Sequence, residues 1–404
     1  MGKTREQKLF LMEGIFFVAF CSLYAYVTSI MLEYGYNEVQ CGVVGMLQYL
    51  VMMVAGPVYD QLIDRGLSPK KLFFVLTVCG MAATPLLPLA FSHGFGWTML
   101  AVSVVSCLDF CCTNVIDTWV TLVIRRDPSV DYGKVRSAGS IFYAVTALIS
   151  GYLMVPLGVK SLFIIHFVFL GLSLLLALKT EAPADLPEQA AEAGAVPGRN
   201  PRDVSLGEGL RVLFSNRDYV VFLVTGMLYY FATRAINTFM PIILENIGGD
   251  VSSYGLSVFL YCVGECIMLR IASRLLHRGV KMETLFVVTL LSLGIRLGLL
   301  GFLHNMTLVM VTQIFLSVAF GCFLRFNVEY VAGLFPPEYA GRAILISVAV
   351  TQGLGCIIGN LLGGFLIDGI GVSGYLYLCC GLLALALVIF LVTRKKKKSV
   401  PETA

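Results

Sequence analysis

The chain has 404 residues, of which 58% are hydrophobic and only 13% are charged. Soluble domains carry about 25% charged residues, so this composition excludes a water-soluble body. The net charge of +4 does not indicate nucleic-acid binding, because most basic residues lie in short polar segments between apolar runs. Those runs are repeatedly about 20 residues long, the length at which a helix crosses a bilayer core. The sequence therefore predicts an integral helical membrane protein.

The twelve cysteines do not indicate disulfides or a metal site. They occur singly or as adjacent pairs inside apolar runs, where a thiol behaves as a small buried hydrophobic group. The sequence contains no Cys/His spacing typical of a metal site and no signature of an enzyme. We therefore expect no metal, no cofactor and no catalytic activity.

Twelve apolar segments are predicted to be membrane spans. They are residues 9–32, 39–63, 72–91, 98–124, 139–157, 162–178, 219–244, 253–275, 285–303, 308–334, 343–367 and 374–392. The first follows basic residues without a small-residue cleavage site, which favours a retained span over a cleaved signal peptide. The predicted fold class is an all-α membrane protein in which twelve transmembrane helices form two six-helix bundles.

A polar segment separates the predicted bundles. Residues 180–217 are rich in Ala, Glu, Pro and Gly, with one short apolar stretch near their end, and are predicted to be a cytoplasmic linker. The predicted domains are an N-terminal bundle (1–179), this linker, a C-terminal bundle (218–394) and a cytoplasmic tail (395–404).

The distribution of basic residues predicts the orientation. All Lys and Arg residues except Lys160, Arg234, Arg296 and Arg325 fall in the termini, in alternate loops or in the span ends beside those loops. Positive charge is retained on the cytoplasmic side of membranes. With an even number of spans, both termini are predicted to face the cytoplasm of a cell that carries the protein in its plasma or inner membrane.

Two polar segments recur in both halves. Residues 60–66 align with residues 273–279, and residues 131–136 share the order acid, tyrosine, glycine, arginine with residues 338–342. Weak repetition at half the chain length is typical of transporters built as two bundles around a central site. The turn residues of this repeat are Asp60, Arg65, Gly66, Arg278 and Gly279, with Gly56 shortly before the first of them.

Charged residues inside the predicted spans indicate function. They are Asp109, Asp117, Arg234, Glu265, Arg296, Arg325 and Glu329. A charge at the bilayer centre costs about 2.5–3.5 kcal/mol on insertion scales and usually faces a cavity or a partner. Ion pairs that act only as structural clamps are the alternative for each of them.

The fourth span carries a group suited to a hydroxylated ligand. Asp109 and Asp117 are two turns apart on one helical face, with Asn114 beside Asp117 and Trp119 nearby. Carboxylates and amides bond hydroxyl groups, and an indole offers a flat apolar face. For Trp119, packing at lipid is an equally good interpretation.

Acids and arginines of the second half are candidates for proton coupling. An isolated carboxyl whose arginine approaches and withdraws during a cycle would load and release a proton. Glu265 with Arg296 is the preferred pair, and Glu329 with Arg325 competes with it. Because Arg325 and Glu329 are one turn apart, they can also simply pair with each other, and Arg234 is a further possible partner.

These residues support a family resemblance. The loop after the second span resembles the signature loop of the major facilitator superfamily. The resemblance implies that this loop and its repeat form a gating loop, with Gly56, Asp60, Arg65, Gly66, Arg278 and Gly279. Within that superfamily, the run from Asp117 to Arg136 and Gly139 resembles the oligosaccharide–proton symporter branch, which is lactose permease-like, and the related phenylpropionate permease-like proteins. The resemblance implies that Asp117 and Arg136 form a sugar-binding charge pair and that Tyr143 stacks on the sugar.

The resemblance extends to the second half. Glu265, which follows a glycine, and Arg296 resemble that branch's coupling acid and arginine, and Gln352 fits its eleventh span. The branch's His-x-x-Glu coupling motif has no match in the tenth span, where Arg325 and Glu329 stand instead.

The predicted function is secondary active transport by alternating access, as proton-coupled sugar or oligosaccharide symport. The alternative is a proton-linked carrier of an aromatic organic acid or amphipathic drug, in which an arginine would meet a carboxylate. A non-transporting membrane receptor is a distant alternative. The expected partners are a small-molecule substrate, protons and the lipid bilayer, with no nucleic acid, and the expected state is a monomer.

Overall fold

The computed structural model of the chain describes residues 2–183 and 206–395. Parts of the predicted linker (184–205) and tail (396–404) lie outside the described residues. Within the described residues, every regular element is a helix.

The helices of the first half follow one another through short turns. They are α1 (Gly2–Phe20), α2 (Val27–Glu33), α3 (Glu38–Asp64), α4 (Pro69–Ala83), α5 (Leu87–His93), α6 (Phe95–Val105), α7 (Cys112–Arg126), α8 (Tyr132–Leu157) and α9 (Lys160–Lys179). Two π-helical turns interrupt them: Cys21–Ala25 extends α1, and Ser106–Phe110 joins α6 to α7.

The second half begins with a short helix in the region predicted to be a linker. Its helices are α10 (Leu206–Ser215), α11 (Arg217–Asn237), α12 (Met240–Glu245), α13 (Val251–His277), α14 (Met282–Phe302), α15 (Met306–Val311), α16 (Gln313–Gly333), α17 (Pro337–Val348) and α18 (Gly355–Lys395). A third π-helical turn, Ala349–Leu354, joins α17 to α18.

Eleven helical stretches of the described chain are long and apolar enough to cross a membrane. The last of them, Pro337–Thr393, is 57 residues long, which is more than twice the length of one span. Gly371 interrupts it with φ 74° and ψ 169°, a conformation that breaks a helix. The two sides of Gly371 correspond to the last two predicted spans, and the predicted all-α, multi-span fold is confirmed.

The chain divides into two compact units. The first contains Met1–Ala193 and Pro241–Cys262, and the second contains Gly194–Met240 and Val263–Ala404. The first half of α13 thus belongs to the first unit. The division into bundles 1–179 and 218–394 stays a prediction.

Each unit has an aromatic core. In the first unit, Phe73 packs edge-on against Phe16 and Trp119, with ring centroids 5.8 and 6.1 Å away. In the second unit, Phe286 stacks on Phe326 at 4.7 Å, and Phe222 meets both rings edge-on. These large buried rings hold the helices in fixed positions.

Glycines bring α8 and the first half of α13 into close contact. A Cβ atom on Gly255 would lie 2.5 Å from the carbonyl oxygen of Ala147 and 2.7 Å from the hydroxyl of Tyr26. A Cβ on Gly151 would lie 2.9 Å from the carbonyl oxygen of Val251. Only glycine permits this approach, which is how small residues act in membrane helix packing.

Tyrosines secure the same contact by hydrogen bonds. The hydroxyl of Tyr26 donates to the carbonyl of Ala147, and the hydroxyl of Tyr254 donates to the carbonyl of Ala25 at 2.8 Å. The two tyrosine rings meet edge-on, with centroids 5.3 Å apart. This end of the first unit is therefore closed by direct contacts between backbones and rings.

The repeated polar segments form the same turn in both halves. Gly66 and Gly279 adopt φ values of 101° and 86°. The amide of each glycine donates to the carbonyl three residues earlier, and the next amide donates to the carbonyl five residues before it. This is the Schellman geometry, which requires a left-handed residue just beyond the helix. The sequence repeat is thus also a structural repeat.

A polar cluster joins three segments at one end of the first unit. Arg5 forms ion pairs with Asp127, in the turn between α7 and α8, and with Glu181 at 2.5 Å. The hydroxyl of Ser129 donates to Asp127 at 2.5 Å, and its amide donates to the same carboxylate. The hydrogen bond from the Ser129 hydroxyl is the largest cause of a lowered pKa of Asp127, and Arg5 lowers it further.

We expect Asp127→Asn to lower the free energy of unfolding at pH 7 and to have a smaller effect in acid. Because the folded-state pKa is lowered, the carboxylate stabilises the fold above its unfolded pKa of about 3.9. That stabilisation is lost as the pH falls through the folded pKa. Unfolding in detergent, followed at pH 7 and at pH 3, tests this. A stability difference from wild type that stays constant over this range would contradict it, and Asp368→Asn, at an exposed position, is the control.

Candidate functional site

Three charged side chains from three helices meet in the first unit. Arg136 of α8 lies with its Nη1 3.3 Å from the Oε1 of Glu13 on α1. Its Nε lies 3.6 Å from the Oδ1 of Asp117 on α7. The structure thus brings Asp117 and Arg136 together and adds Glu13. The side chains of Arg136 and Asp117 are 39% and 41% exposed, whereas Glu13 is 1% exposed.

The start of α8 positions Arg136. Asp131 caps the helix by accepting a hydrogen bond from the amide of Lys134 at 3.2 Å. One turn further on, a Cβ atom on Gly139 would lie 2.7 Å from the Nη1 of Arg136 and 2.9 Å from the ring of Phe17. The missing side chain lets the guanidinium lie 5.1 Å from the centroid of the Phe17 ring, in a cation–π contact.

A group of half-buried rings continues from this charged end, and we call it the aromatic cluster. It consists of Phe17, Phe20, Tyr24, Phe110 and Tyr143. Phe20 stacks on Phe110 at 5.3 Å and lies 5.6 Å from Phe17, 4.8 Å from Tyr24 and 6.4 Å from Tyr143. Such a group offers flat apolar faces to a ligand ring. Tyr143 is in the region where the resemblance places a stacking residue.

Two of the residues predicted to bind substrate are almost fully buried. Asp109 is 1% exposed and is bonded to His166 and Tyr24. Trp119 is fully buried in the core, and its indole N–H donates to the carbonyl of Glu181 at 3.2 Å. We therefore leave both out of the proposed binding surface, where the aromatic cluster supplies the stacking faces instead.

Asn114 lies on α7, one turn before Asp117. Its Nδ2 is 3.1 Å from the position of a Cβ on Gly56, so the amide packs over that glycine of α3. The absence of a side chain at Gly56 thereby leaves room for the amide of Asn114. Asp60 lies further along α3 and is half-buried, and Arg65 caps the end of that helix.

The predicted coupling residues lie in the second unit. Arg325 and Glu329 pair with each other within α16 at 2.6 Å. Arg296 is fully buried and donates to the hydroxyl of Thr312 at 3.3 Å. Glu265 is half-buried on α13.

The other predicted residues of the second unit are also placed by close packing. Arg234 is buried, donates to the hydroxyl of Thr233 at 3.1 Å, and its stem lies 2.8 Å from the position of a Cβ on Gly359. Gln352 is half-buried on the π-helical turn between α17 and α18. Such turns occur frequently at functional sites. Arg278 and Gly279 form the turn that follows α13.

Sequence reasoning missed Glu13, Phe17, Phe20 and Phe110. Glu13 had a usable signal, since it is an acid inside the first predicted span and meets the same criterion as the other buried charges. The phenylalanines had none, because apolar rings in an apolar helix do not reveal which face they occupy.

The net charge of the site depends on its two carboxyl groups. Two carboxylates share one guanidinium, so the ionised group of Glu13, Asp117 and Arg136 would carry a net charge of −1. Its accessible part offers carboxylate acceptors, guanidinium donors and ring faces. In the described residues, no group of three His, Cys, Asp or Glu side chains is placed to hold a metal ion.

An all-helical chain with membrane-length helices and a charged site of this kind is a multi-pass membrane protein. The chain belongs to the MFS_1 like family, which it matches over residues 8–397. It is therefore a secondary transporter of the major facilitator superfamily.

The chain is similar to several transporters along most of its length. It is 23% identical to the uncharacterized transporter YwbF of Bacillus subtilis over 89% of this chain and 86% of that protein. It is also 23% identical to the maltose permease of Geobacillus stearothermophilus over 86% of this chain and 84% of that protein.

Solved structures share the fold. The nucleoside transporter NupG is 15% identical, with a TM-score of 0.79 over 98% of this chain and 99% of that one. A bacterial homologue of the human lysosomal transporter Spinster, in an inward-facing and unoccupied conformation, is 13% identical with a TM-score of 0.69, over 96% of this chain and 95% of that one.

Proposed function

We propose that this transporter takes up a small neutral sugar or glycoside together with a proton. The observation that carries the proposal is the ion pair of Asp117 and Arg136 beside the aromatic cluster. A carboxylate accepts hydrogen bonds from sugar hydroxyls, and a guanidinium donates to them. The rings cover the apolar face of a pyranose or furanose. The name of the maltose permease relative supports a sugar substrate.

A glycoside with an aromatic aglycone is the second candidate, and nucleosides belong to this class. The observation in its favour is the size of the aromatic cluster, which offers more ring faces than one sugar covers. The nucleoside transporter with the same fold is consistent with it.

A carboxylate substrate fits the site less well. Arg136 already faces Glu13 and Asp117, so an organic acid would enter a group whose ionised form is negative. Like charges that share a partly buried site repel each other. We therefore propose neutral glycosides as substrates in preference to the organic acid of the alternative prediction.

The rest of the mechanism follows the sequence predictions. We propose alternating access with both termini cytoplasmic and a monomeric protein in the plasma or inner membrane. Glu265 with Arg296, or Glu329 with Arg325, are the coupling groups predicted in the second unit, with Arg234 as a further candidate. Gln352 stays a predicted substrate-binding residue.

Uptake into proteoliposomes under an imposed pH gradient tests the function. The panel is maltose, sucrose, a phenyl glycoside, uridine, adenosine and an aromatic acid. We expect accumulation of at least one neutral glycoside when the outside is acidic, and none of the acid. Accumulation of the acid alone, or of no solute, would contradict the proposal.

Asp117→Asn should weaken the apparent affinity for the transported solute by about 10- to 100-fold. The reason is that hydrogen bonds to a charged acceptor contribute about 1.5–3 kcal/mol each. Concentration dependence of uptake in the variant measures this effect. Asp368→Asn makes the same chemical change at an exposed position and should behave as wild type. Unchanged affinity in Asp117→Asn would remove Asp117 from the site.

A further inference from the structure

A buried cluster of titratable groups lies inside the first unit, beside the aromatic cluster. The Nε2 of His166, on α9, is 2.8 Å from the Oδ2 of Asp109, and its Nδ1 is 2.8 Å from the carbonyl oxygen of Ala19. The hydroxyl of Tyr24 donates to the other carboxylate oxygen of Asp109. His166 and Asp109 are 0% and 1% exposed.

The geometry fixes the number of protons that the cluster holds. A carbonyl oxygen only accepts, so the Nδ1 of His166 must carry a hydrogen. The short contact between Nε2 and Oδ2 then needs one further proton, either on the ring or on the carboxyl group. In both arrangements the pair of Asp109 and His166 is electrically neutral and holds one proton that it can release.

Loss of that proton would leave an unpaired carboxylate in a buried place. The imidazole would be neutral and Asp109 would lose the hydrogen bond that joins it to Nε2. A buried uncompensated charge is unfavourable. The deprotonated pair therefore needs either a rearrangement of its surroundings or access to water.

The surroundings of Asp109 supply few other polar groups. Besides His166 and Tyr24, the titratable groups that face it are the thiols of Cys111 and Cys112 on its own helix. On α4, the backbone of Gly80 faces it, with a Cβ position 3.6 Å from Oδ2. His166 is thus the basic side chain that faces Asp109, with its Nε2 2.8 Å from Oδ2.

Both ends of the Tyr24–Asp109 hydrogen bond lie on π-helical turns. Tyr24 is on Cys21–Ala25, and Asp109 is on Ser106–Phe110. A π-helical turn inserts one residue into the α-helical ladder and is frequent at functional sites. Its hydrogen bonds can shift by one residue, so a change in the charge of Asp109 can reorient the turn.

The same turns carry rings of the aromatic cluster. Phe110 follows Asp109 directly and stacks on Phe20, and the ring of Tyr24 lies 4.8 Å from the rings of both. A ligand resting on these rings and a proton on Asp109 therefore act on the same turns. This shared backbone is a direct physical route for coupling.

A small cavity reaches the cluster from another side. It is lined in part by Leu23, Tyr24, Val105 and Gln48, and its volume of about 10 Å³ has room for about one water molecule. The Nε2 of Gln48 is buried without a hydrogen-bond partner in the structure. An unpaired amide in a cavity of this size is a site for a water that could relay a proton to Tyr24.

We propose that Asp109 and His166 form the site that binds the transported proton. The proton binds between Nε2 and Oδ2 and makes the pair electrically neutral. It leaves to water on the other side of the membrane as the π-helical turns rearrange. The proposal rests on the proposed proton-coupled function. It places the transported proton in the first unit, next to the aromatic cluster, in place of the second-unit pairs predicted from the sequence.

The test compares two kinds of transport in proteoliposomes, using the solute that the wild type accumulates. In Asp109→Asn, accumulation driven by a pH gradient should fall at least about tenfold, because the amide cannot release a proton. Counterflow, in which solute exchanges without net proton movement, should stay within about twofold of wild type. Asp368→Asn is the matched control and should retain both.

Tyr24→Phe provides a second variant that preserves the ring. Removing the hydroxyl takes a donor from the Asp109 carboxylate and favours the protonated pair. In Tyr24→Phe, the pH at which accumulation is half-maximal should therefore lie above the wild-type value. The expected difference is about one pH unit, for the loss of one hydrogen bond to a charged group. A purely structural role for the cluster would not move this pH profile.

Three results would overturn the proposal. If accumulation in Asp109→Asn stays as in wild type, the proton binds elsewhere. If accumulation and counterflow fall together and Tyr24→Phe leaves the pH profile unchanged, the cluster is a structural clamp. If wild-type accumulation of glycosides does not respond to pH at all, the proton-coupled function itself fails, and this result is visible without any variant.

Discussion

Arg136→Gln is expected to destabilise the protein and to abolish uptake. The substitution leaves Glu13, which is 1% exposed, and Asp117 without their cation. Removing one partner of a buried ion pair costs about 3–5 kcal/mol, and the partial exposure of Arg136 places the expected loss at the lower end of this range. Thermal unfolding in detergent measures the loss of stability, and uptake of the identified substrate measures the loss of transport.

The double variant Glu13→Gln/Arg136→Gln separates the two effects. Removing the buried carboxylate removes the unpaired charge, so most of the lost stability should return. Uptake should not return, because the guanidinium that faces the substrate is still missing. Glu13→Gln alone should remain folded, since Arg136 keeps Asp117 as its partner. Equal instability in the double and single arginine variants would show that Glu13 and Arg136 are not energetically coupled.

Gly255→Val is expected to slow transport strongly and to open the contact between α8 and α13. A Cβ atom at this position would lie 2.5 Å from the backbone oxygen of Ala147, which cannot move without shifting α8. Overpacking of this kind costs about 1–3 kcal/mol. This penalty would reduce the population of the closed contact by roughly 10- to 100-fold.

Labelling of a buried thiol reports this opening. Cys262 lies two turns after Gly255 on α13 and is 8% exposed. In a variant that retains Cys262 as its single cysteine, Gly255→Val should raise the rate of maleimide labelling about tenfold. Gly381→Val is the matched control, because Gly381 is also helical but has no atom within 4 Å of its Cβ position. Equal labelling rates in the two variants would contradict the prediction.

The pair of Asp117 and Arg136 shows what a linear pattern can predict. Both residues stand out as polar groups in or beside apolar helices, and the family resemblance links them. The repeated turns at Gly66 and Gly279 could also be predicted from the sequence, because a left-handed glycine after a helix has a local sequence signature. Both features depend mainly on residues that are close together in the sequence.

Asp109 and Trp119 show where linear patterns stop. Their spacing put them near Asp117, but the helix passes through the π-helical turn Ser106–Phe110 before α7 begins. The inserted residue changes the register of the two faces. Asp109 consequently faces His166. Trp119 lies only two residues after Asp117 on the regular helix α7, so its ring points to a different side of that helix and packs in the core with Phe73.

Local sequence chemistry determined that this chain is helical and membrane-spanning, where its repeated turns lie, and that it has charged residues inside its helices. Only the tertiary structure decided that Glu13 shares Arg136 with Asp117, that phenylalanines line the site, and that Asp109 pairs with His166. The physical reason is the solvent: lipid is as apolar as a helix interface, so the hydrophobic pattern of a membrane helix does not mark its inward face.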